Sequence, residues 1–380
     1  MLFALHDSLL GELQKPEVDH QLIELLEDLA RYRQAGFHLI TGSRRLLKAI
    51  TNLSNLSRRS SDLYWFVLEE LTQLGNVTTL LARRIEITDG YATNVLTNSD
   101  GSRAFQIPYR KLQTLSVFNK TILLSENLVD AKIYAHIADA YIAMNRLSGI
   151  KLNFEKRGGG GSTIAGEYHE IQQNQDRLCL CVVDSDRKTP NWEIGSTAKN
   201  VTAKDDSDIL LCEVAIIEPR DIENFLPTSV LREIVQEASK LSMIEMLETI
   251  DACPANSDAR YHLDIKKGIT LGEVLHSPAQ EEFHKYWKTV LTRYDFSKNL
   301  ACNVSANCNN PKECTCIIAA GLGDKIAEEF YNKFLNVSSS HKVVERVSTV
   351  EHLRSNWESI GRIIAAWGCG SQARRTIYAA

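Results

Sequence analysis

Six apolar residues run without interruption from Leu178 to Val183, and the chain then carries Asp184 and Asp186 before Pro190. A run this short, rich in Val, Leu and Cys, predicts a strand buried on both faces of a parallel sheet. In extended chain, residues two apart point the same way. Asp184 and Asp186 are therefore expected to aim at one spot just past the strand's end. Two like charges placed together repel and persist most easily around a cation. Taken alone, an Asp-x-Asp is equally at home as a pair of solvated loop acids, so the surrounding chain has to decide.

From Lys120 that chain is regular. Thr121 to Glu126 reads as a strand, Asn127 to Asn145 as a helix with Ile133, Ile137, Ala140 and Met144 on one face, and Ile150 to Phe154 as a second strand. A glycine turn, Gly158 to Gly161, follows, with Ser162 or Thr163 as cap for a helix from Ala165 to Asn174. After the strand that ends at Asp184 comes a polar stretch, Thr189 to Asp208, and a further apolar run from Ile209 to Ile217. Strand, helix, strand, helix, strand is the pattern of a parallel sheet with crossover helices.

Before this block, residues 1–115 mix helix and strand. Met1 to Leu5 and Gly36 to Thr41 read as strands, Gln21 to Ala35 and Asp62 to Leu74 as helices, and a basic helix surrounds Arg44, Arg45 and Lys48. Thr78 to Ile87 reads as helix turning into strand, and Gly90 to Arg103 as an exposed loop. From Thr228 the chain reads as mainly helical, with one stripe through Leu231, Ile234, Val235, Ala238, Leu241 and Leu247 and further helices over Ala279 to Thr292, Gly323 to Leu335 and Val350 to Trp367. The expected division is thus 1–115, 116–230 and 231–380.

Ligands of an open parallel sheet bind outside the carboxyl ends of its strands. Glu126 ends one strand and Asp184 and Asp186 another, while Glu218 and Glu223 follow the next. Hard oxygen donors gathered at one rim suit Mg²⁺ or Mn²⁺, not zinc. Two such ions about 3.5–4 Å apart support phosphodiester cleavage.

This order of residues resembles the Toprim domain: Glu126 in Leu-Leu-Ser-Glu-Asn-Leu-Val-Asp, the Gly158 to Gly161 turn, then Asp184-Ser-Asp186. Within that superfamily it is similar to the nucleases of the overcoming-lysogenization-defect type and related phage-defence Toprim proteins. Those carry a further acidic stretch, matched here by Glu218 and Ile222-Glu223-Asn224-Phe225-Leu226-Pro227, and some use a downstream lysine, matched by Lys266 or Lys267. The resemblance covers about residues 118 to 230. It departs at Asn127, where the family usually has Gly, and at the family's ATPase half, for which the chain has no Gly-x-x-x-x-Gly-Lys-Ser/Thr.

The resemblance implies an α/β, Toprim-like parallel sheet flanked by helices and a nuclease for DNA or RNA using two Mg²⁺ or Mn²⁺ ions. Asp184 and Asp186 would hold one ion, and Glu126 would complete that site or act as general base. Glu223 and Glu218 would hold the second, and Lys266 would offset charge on the scissile phosphate. It also implies an effector of anti-phage defence with a separate ATPase or inhibitory protein as partner. Gly158, Gly159 and Gly160 could let backbone approach a phosphate; four glycines and a serine also spell a flexible linker.

Other readings stand beside this one. Asp184-Ser-Asp186-Arg-Lys-Thr nearly fits the loop of haloacid-dehalogenase phosphatases, with the Thr one position late. A non-catalytic interaction or regulatory protein is the third. An early strand with Asp7 at its end loosely resembles PIN-like nuclease domains, with Glu69, Glu70 or Asp89 as further acids, against a purely structural N-terminal domain. Cys302, Cys308, Cys314 and Cys316 lie in a polar stretch and could bind a structural zinc, against free thiols.

Composition narrows the setting. Nine cysteines, several inside apolar strands, suit a reducing compartment. No apolar run is long enough to span a bilayer, and no basic then apolar leader opens the chain, so a cytoplasmic protein without a membrane partner is expected. A net charge of −5 argues against coating nucleic acid by bulk electrostatics but leaves room for a local basic groove.

Overall fold

The structure is a computed structural model. It describes residues 1–73, 77–112, 115–253, 258–275, 281–294, 316–336 and 341–374. The architecture is mixed α/β, with a four-stranded all-parallel sheet flanked by helices. Packing divides the chain into two compact units. One comprises Met1–Val182, Val201–Ala215 and Trp357–Ala380, the other Val183–Asn200 and Ile216–Asn356. Residues 1–115 thus share a unit with most of the parallel-sheet region, and the helical end of the chain is shared between the two.

The first unit carries two sheets. The N-terminal one contains β1 (Leu2–Leu5), β2 (Leu39–Gly42), β3 (Arg83–Thr88), β4 (Asn94–Thr97) and β5 (Arg103–Pro108), in the order β2-β1-β3-β5-β4. β1 runs parallel to β2 and β3, and β3 parallel to β5, while β4 is antiparallel to β5. The helix His20–Gln34 starts where the Asp19 side chain accepts from the Gln21 N–H, and it buries Leu22, Ile23, Leu25, Leu26 and Leu29, the expected apolar face. Ser43 caps the basic helix Arg44–Thr51 in the same way.

The exposed loop expected over Gly90 to Arg103 is instead a hairpin arm. Gly101 N–H donates to Asn98 O (3.0 Å) and Asn98 N–H to Ser102 O (2.9 Å), closing a turn between β4 and β5. All four residues of β4 are exposed, so no alternation of buried and solvent-facing side chains marks it as a strand.

The second sheet contains β6 (Thr121–Ser125), β8 (Phe154–Gly158), β9 (Cys179–Val183) and β10 (Cys212–Ile216), in the order β10-β9-β6-β8. A two-residue strand, β7 (Lys151–Leu152), pairs apart from it with β13 (Cys369–Gly370). Every residue of β6 and β9 is buried, in keeping with the apolar run of β9 and the Ile-Leu-Leu centre of β6. The helix Leu128–Met144 buries Ile133, Ile137 and Ala140.

The strand expected at Ile150 to Phe154 divides at Asn153, whose N–H donates to Gly368 O (2.9 Å) and whose side-chain amide donates to Gly36 O (2.7 Å). The sheet strand is therefore β8, four residues later than expected, and Gly158 closes a strand instead of opening a turn. The polar stretch after Asp186 contains a helix, Ser196–Lys204, anchored by buried Ala198 and Val201. Two apolar residues are too few for a periodic signal.

An ion pair ties the two sheets of this unit. Arg83, the first residue of β3, donates from Nε (2.8 Å) and Nη2 (2.7 Å) to the Glu213 carboxylate on β10, and Trp367 Nε1 donates to the same carboxylate (2.8 Å).

The second unit is mainly helical. The single stripe expected from Leu231 to Leu247 is broken: one helix, Thr228–Ile234, ends before Val235, which is extended, and another, Leu241–Asp251, follows a short turn. Ala238 lies in that turn and is exposed. Further helices cover Asp258–His262, Glu281–Arg293, Ile326–Phe330 and His341–Ser348, and β11 (Gly268–Thr270) pairs antiparallel with β12 (Ile317–Ala320). At its centre Arg260 is fully buried. Its guanidinium donates to Asp251 (2.9 Å), to Thr228 Oγ1 (2.8 Å) and to the carbonyls of Asn224 and Leu226. Among the described residues no helix is long and apolar enough to cross a membrane.

Candidate active site

In the first unit, β6 and β9 run parallel with Ser125 opposite Val182. Glu126 is the residue after β6, in this unit, and Asp184 the residue after β9, in the other. Glu126 is half-buried and its carbonyl accepts from Gly161 N–H (3.1 Å). Burial, and next the Glu126 charge, push the Cys181 thiol on β9 well above its ordinary pKa.

The glycine turn folds onto the end of β6. Gly159 N–H donates to Ser125 O (2.7 Å), so that donor is not offered to a phosphate. A Cβ on Gly158 would lie 2.6 Å from Leu128 N, and one on Gly159 2.5 Å from Ile164 Cγ1. The chain can pass the N-terminus of the helix Leu128–Met144 at Gly158, and the start of the helix Ile164–Asn174 at Gly159, only because these side chains are absent. The expected cap by Ser162 or Thr163 does not form: Thr163 Oγ1 donates to Gly159 O instead.

The second unit holds the remaining acids. Asp184 is half-buried and Asp186 exposed. The extended geometry expected for the pair stops at Val183. Ser185 Oγ donates to Pro219 O (2.9 Å), Asp186 N–H donates to Arg220 O (2.9 Å), and Asp186 adopts φ +54. Asp tolerates this left-handed conformation, and it carries the Asp186 side chain toward Gly195, away from the alternation of a strand.

The segment zipped against this loop contains a residue that the sequence reading passed over. Asp221 and Glu223 are 3% and 2% exposed, on either side of Ile222 at the start of a short 3₁₀ turn. Lys266 Nζ reaches both, at 3.2 Å from Glu223 Oε2 and 3.7 Å from Asp221 Oδ2. Burial, and next the like charge of Glu223, push the Asp221 carboxyl well above the usual range, with Lys266 and Arg220 opposing. Burial works against the Lys266 ammonium, but Asp221, Glu223 and Asp184 together outweigh it and raise its pKa. Asp184, Asp221 and Glu223 therefore act on one ammonium. Asp221 Oδ1 is buried and takes no hydrogen bond. The signal for Asp221 was present: Asp221-x-Glu223 repeats the spacing of Asp184-x-Asp186 after a strand.

Asn224 fixes this turn from beneath, donating from Nδ2 to Arg260 O (2.6 Å) and Leu263 O (3.0 Å). Glu218, in contrast, is exposed, and its charge acts on Tyr261. Lys267 is exposed, with its N–H on Asp264 Oδ1 (2.8 Å). Thr189, the threonine of the phosphatase-like loop, is buried and donates to Glu282 Oε1 (2.7 Å).

The other candidates separate. Asp7 accepts from Ser43 Oγ, Asp89 pairs with Arg110 (3.0 Å), Glu70 pairs with the buried Arg33 (2.6 Å), and Glu69 is exposed. Cys302, Cys308 and Cys314 lie outside the described residues, and Cys316 is half-buried. Among the described residues no three His, Cys, Asp or Glu side chains are grouped closely enough to hold a metal ion directly. No protein-family model, no curated protein and no solved structure matches the chain.

Proposed function

We propose that the chain is a divalent-metal-dependent nuclease, hydrolysing phosphodiester bonds of DNA or RNA in the manner the Toprim resemblance implies. The observation that supports this reading most is the acid cluster around Lys266. Two almost wholly buried carboxylates, Asp221 and Glu223, share one ammonium, and one buried oxygen lacks a hydrogen-bond donor. Ionised, such a set carries more negative charge than Lys266 offsets, and a hard cation relieves it.

The donors are all oxygens, which fits Mg²⁺ or Mn²⁺. Asp221 and Glu223, the two buried acids, would face the ion with water completing its shell, since among the described residues no three such side chains are grouped closely enough to hold a metal directly. When bound, such an ion polarises the phosphoryl oxygens and lowers the pKa of water. By the resemblance, the chain's own part would be to set the Lys266 charge beside the phosphate and to offer Glu126 as general base. The effector role in anti-phage defence, and a separate ATPase or inhibitory subunit, belong to the same proposal through the resemblance.

The test is incubation of the purified chain with Mg²⁺ or Mn²⁺ and plasmid, single-stranded DNA or tRNA. Cleavage that depends on the ion and falls at least ~10²-fold in Glu126→Gln, Asp184→Asn and Glu223→Gln is expected. Cleavage unchanged in these variants, or absent with every substrate, removes the reading.

A further inference from the structure

The second unit contains a small cavity whose charge is opposite to that of the acid cluster. About 80 Å³ of open room lies between Lys188, Arg220, His262 and Lys267, over a floor of Phe283 and Trp287. That is more than the ~30 Å³ share of one water, and it accommodates a tetrahedral oxyanion. Asp264 and Glu273 also line it. Both are engaged: Asp264 Oδ2 accepts from Arg220 Nη2 (2.5 Å) and its Oδ1 from the Lys267 N–H (2.8 Å), while Glu273 Oε2 accepts from Thr270 N–H (3.0 Å) and Oγ1 (2.9 Å). Three cations against two occupied carboxylates leave the wall positive.

The backbone places this cavity directly behind the acids. Arg220 lines it while its neighbour Asp221 belongs to the acid cluster, and Lys267 lines it while its neighbour Lys266 reaches Asp221 and Glu223. Successive Cα atoms are ~3.8 Å apart, so the two sites are one residue from each other along two separate segments. The walls are fixed as well. Trp287 Nε1 donates to Lys188 O (3.1 Å), His262 Nδ1 lies 3.3 Å from Arg187 O, and Arg220 N–H donates to Tyr261 O (2.6 Å).

We infer that this cavity is a phosphate subsite, taking a phosphate of the nucleic-acid strand next to the one presented to the acids. It deepens the nuclease reading and rests on it only for the source of the phosphate. Two sources share the chemistry, a strand phosphate and a free phosphate. Lys188 and Lys267 supply point charges and Arg220 a planar donor fork, the groups that recognise such oxygens.

The experiment is equilibrium binding in EDTA, so that no cleavage is required. The probe is a 3′-fluorescent oligothymidylate carrying a 5′-phosphate, with inorganic phosphate as competitor. Lys188→Gln with Lys267→Gln, at one half-buried and one exposed side chain, should weaken strand binding by about tenfold or more, tenfold being about 1.4 kcal/mol. The slope of log K against log salt should fall by ~0.7 for each phosphate that the variant no longer neutralises. Glu273→Gln, which removes a wall charge, should tighten binding. Displacement of the strand by inorganic phosphate alone at equal affinity would assign the cavity to free phosphate and overturn the strand as source. Unchanged affinity and salt slope in the double lysine variant would overturn the subsite. Lysine-dependent binding without any cleavage in Mg²⁺ or Mn²⁺ would overturn the nuclease reading and leave the subsite standing.

Discussion

Replacing Lys266 with Met tests the charge state of the acid cluster. The ammonium stands 3.2 Å from Glu223 and 3.7 Å from Asp221, with its own side chain 28% exposed. At an effective dielectric of ~20 the gross attractions are about 5 and about 4.5 kcal/mol. The net loss is smaller, because a carboxylate deprived of its cation takes up a proton. For an Asp of ordinary pKa, neutralisation at pH 7 costs about 4 kcal/mol. Asp221, whose carboxyl burial and Glu223 already push up, costs less. A loss of about 3 kcal/mol is expected, at the low end for breaking a buried pair. Denaturant unfolding of the full chain at pH 7 in EDTA measures it. The sign of the pH dependence follows from the direction of the Asp221 shift. A carboxyl with a raised folded-state pKa stabilises fully below its unfolded value and loses that contribution as pH rises through the folded value. Without Lys266 the rise is larger, so the gap between variant and wild type should widen from about pH 5 to about pH 8. Mg²⁺ or Mn²⁺ should recover part of the loss, since a cation can take the ammonium's place. A variant within about 0.5 kcal/mol of wild type at pH 8 would refute the view that Lys266 neutralises ionised acids.

Other expectations are independent of catalysis. Among the described residues, Arg83→Met leaves the Glu213 carboxylate facing Trp367 Nε1 and, at 3.4 Å, Arg103, and should cost about 3–5 kcal/mol in chemical denaturation. Gly158→Ala drives a methyl against the backbone at Leu128 and should destabilise by about 1–3 kcal/mol, read as faster proteolysis of the native chain. Burial pushes the His136 imidazole down to about 4, and its Nε2 takes no hydrogen bond. Its contribution is therefore complete above the unfolded value near 6.5 and lost as pH falls toward 4, about 3 kcal/mol. His136→Phe should flatten that acid limb of a stability-against-pH curve. Finally, melting temperature should rise with Mg²⁺ or Mn²⁺ in wild type, by about 2.7 kcal/mol of stability at a hundredfold excess over Kd, and should not rise in Glu223→Gln.

The sequence by itself determined the elements whose burial is one-dimensional. β6 and β9 are buried on both faces, β9 showing it as an unbroken apolar run and β6 as an Ile-Leu-Leu centre, and the helices His20–Gln34 and Leu128–Met144 carry their apolar faces at helical spacing. The register of the parallel pair β6 and β9, with Ser125 opposite Val182, follows from the same runs. Where a residue answers to a partner far along the chain, periodicity is silent. β4 buries nothing, and Asn153 is turned by Gly36 and Gly368, so the hairpin and the late start of β8 were not legible. The site divides the same way. Asp184 was visible as the end of a strand. That Asp186 turns away, that Glu218 stays in solvent, and that Asp221 joins Glu223 around Lys266 were decided by hydrogen bonds that the Arg220 and Pro219 carbonyls accept and Asn224 donates, with loops that only tertiary packing brings near. Side-chain alternation holds in an extended strand and ends with it. Beyond that point the direction of each carboxylate is fixed by what the folded chain puts beside it.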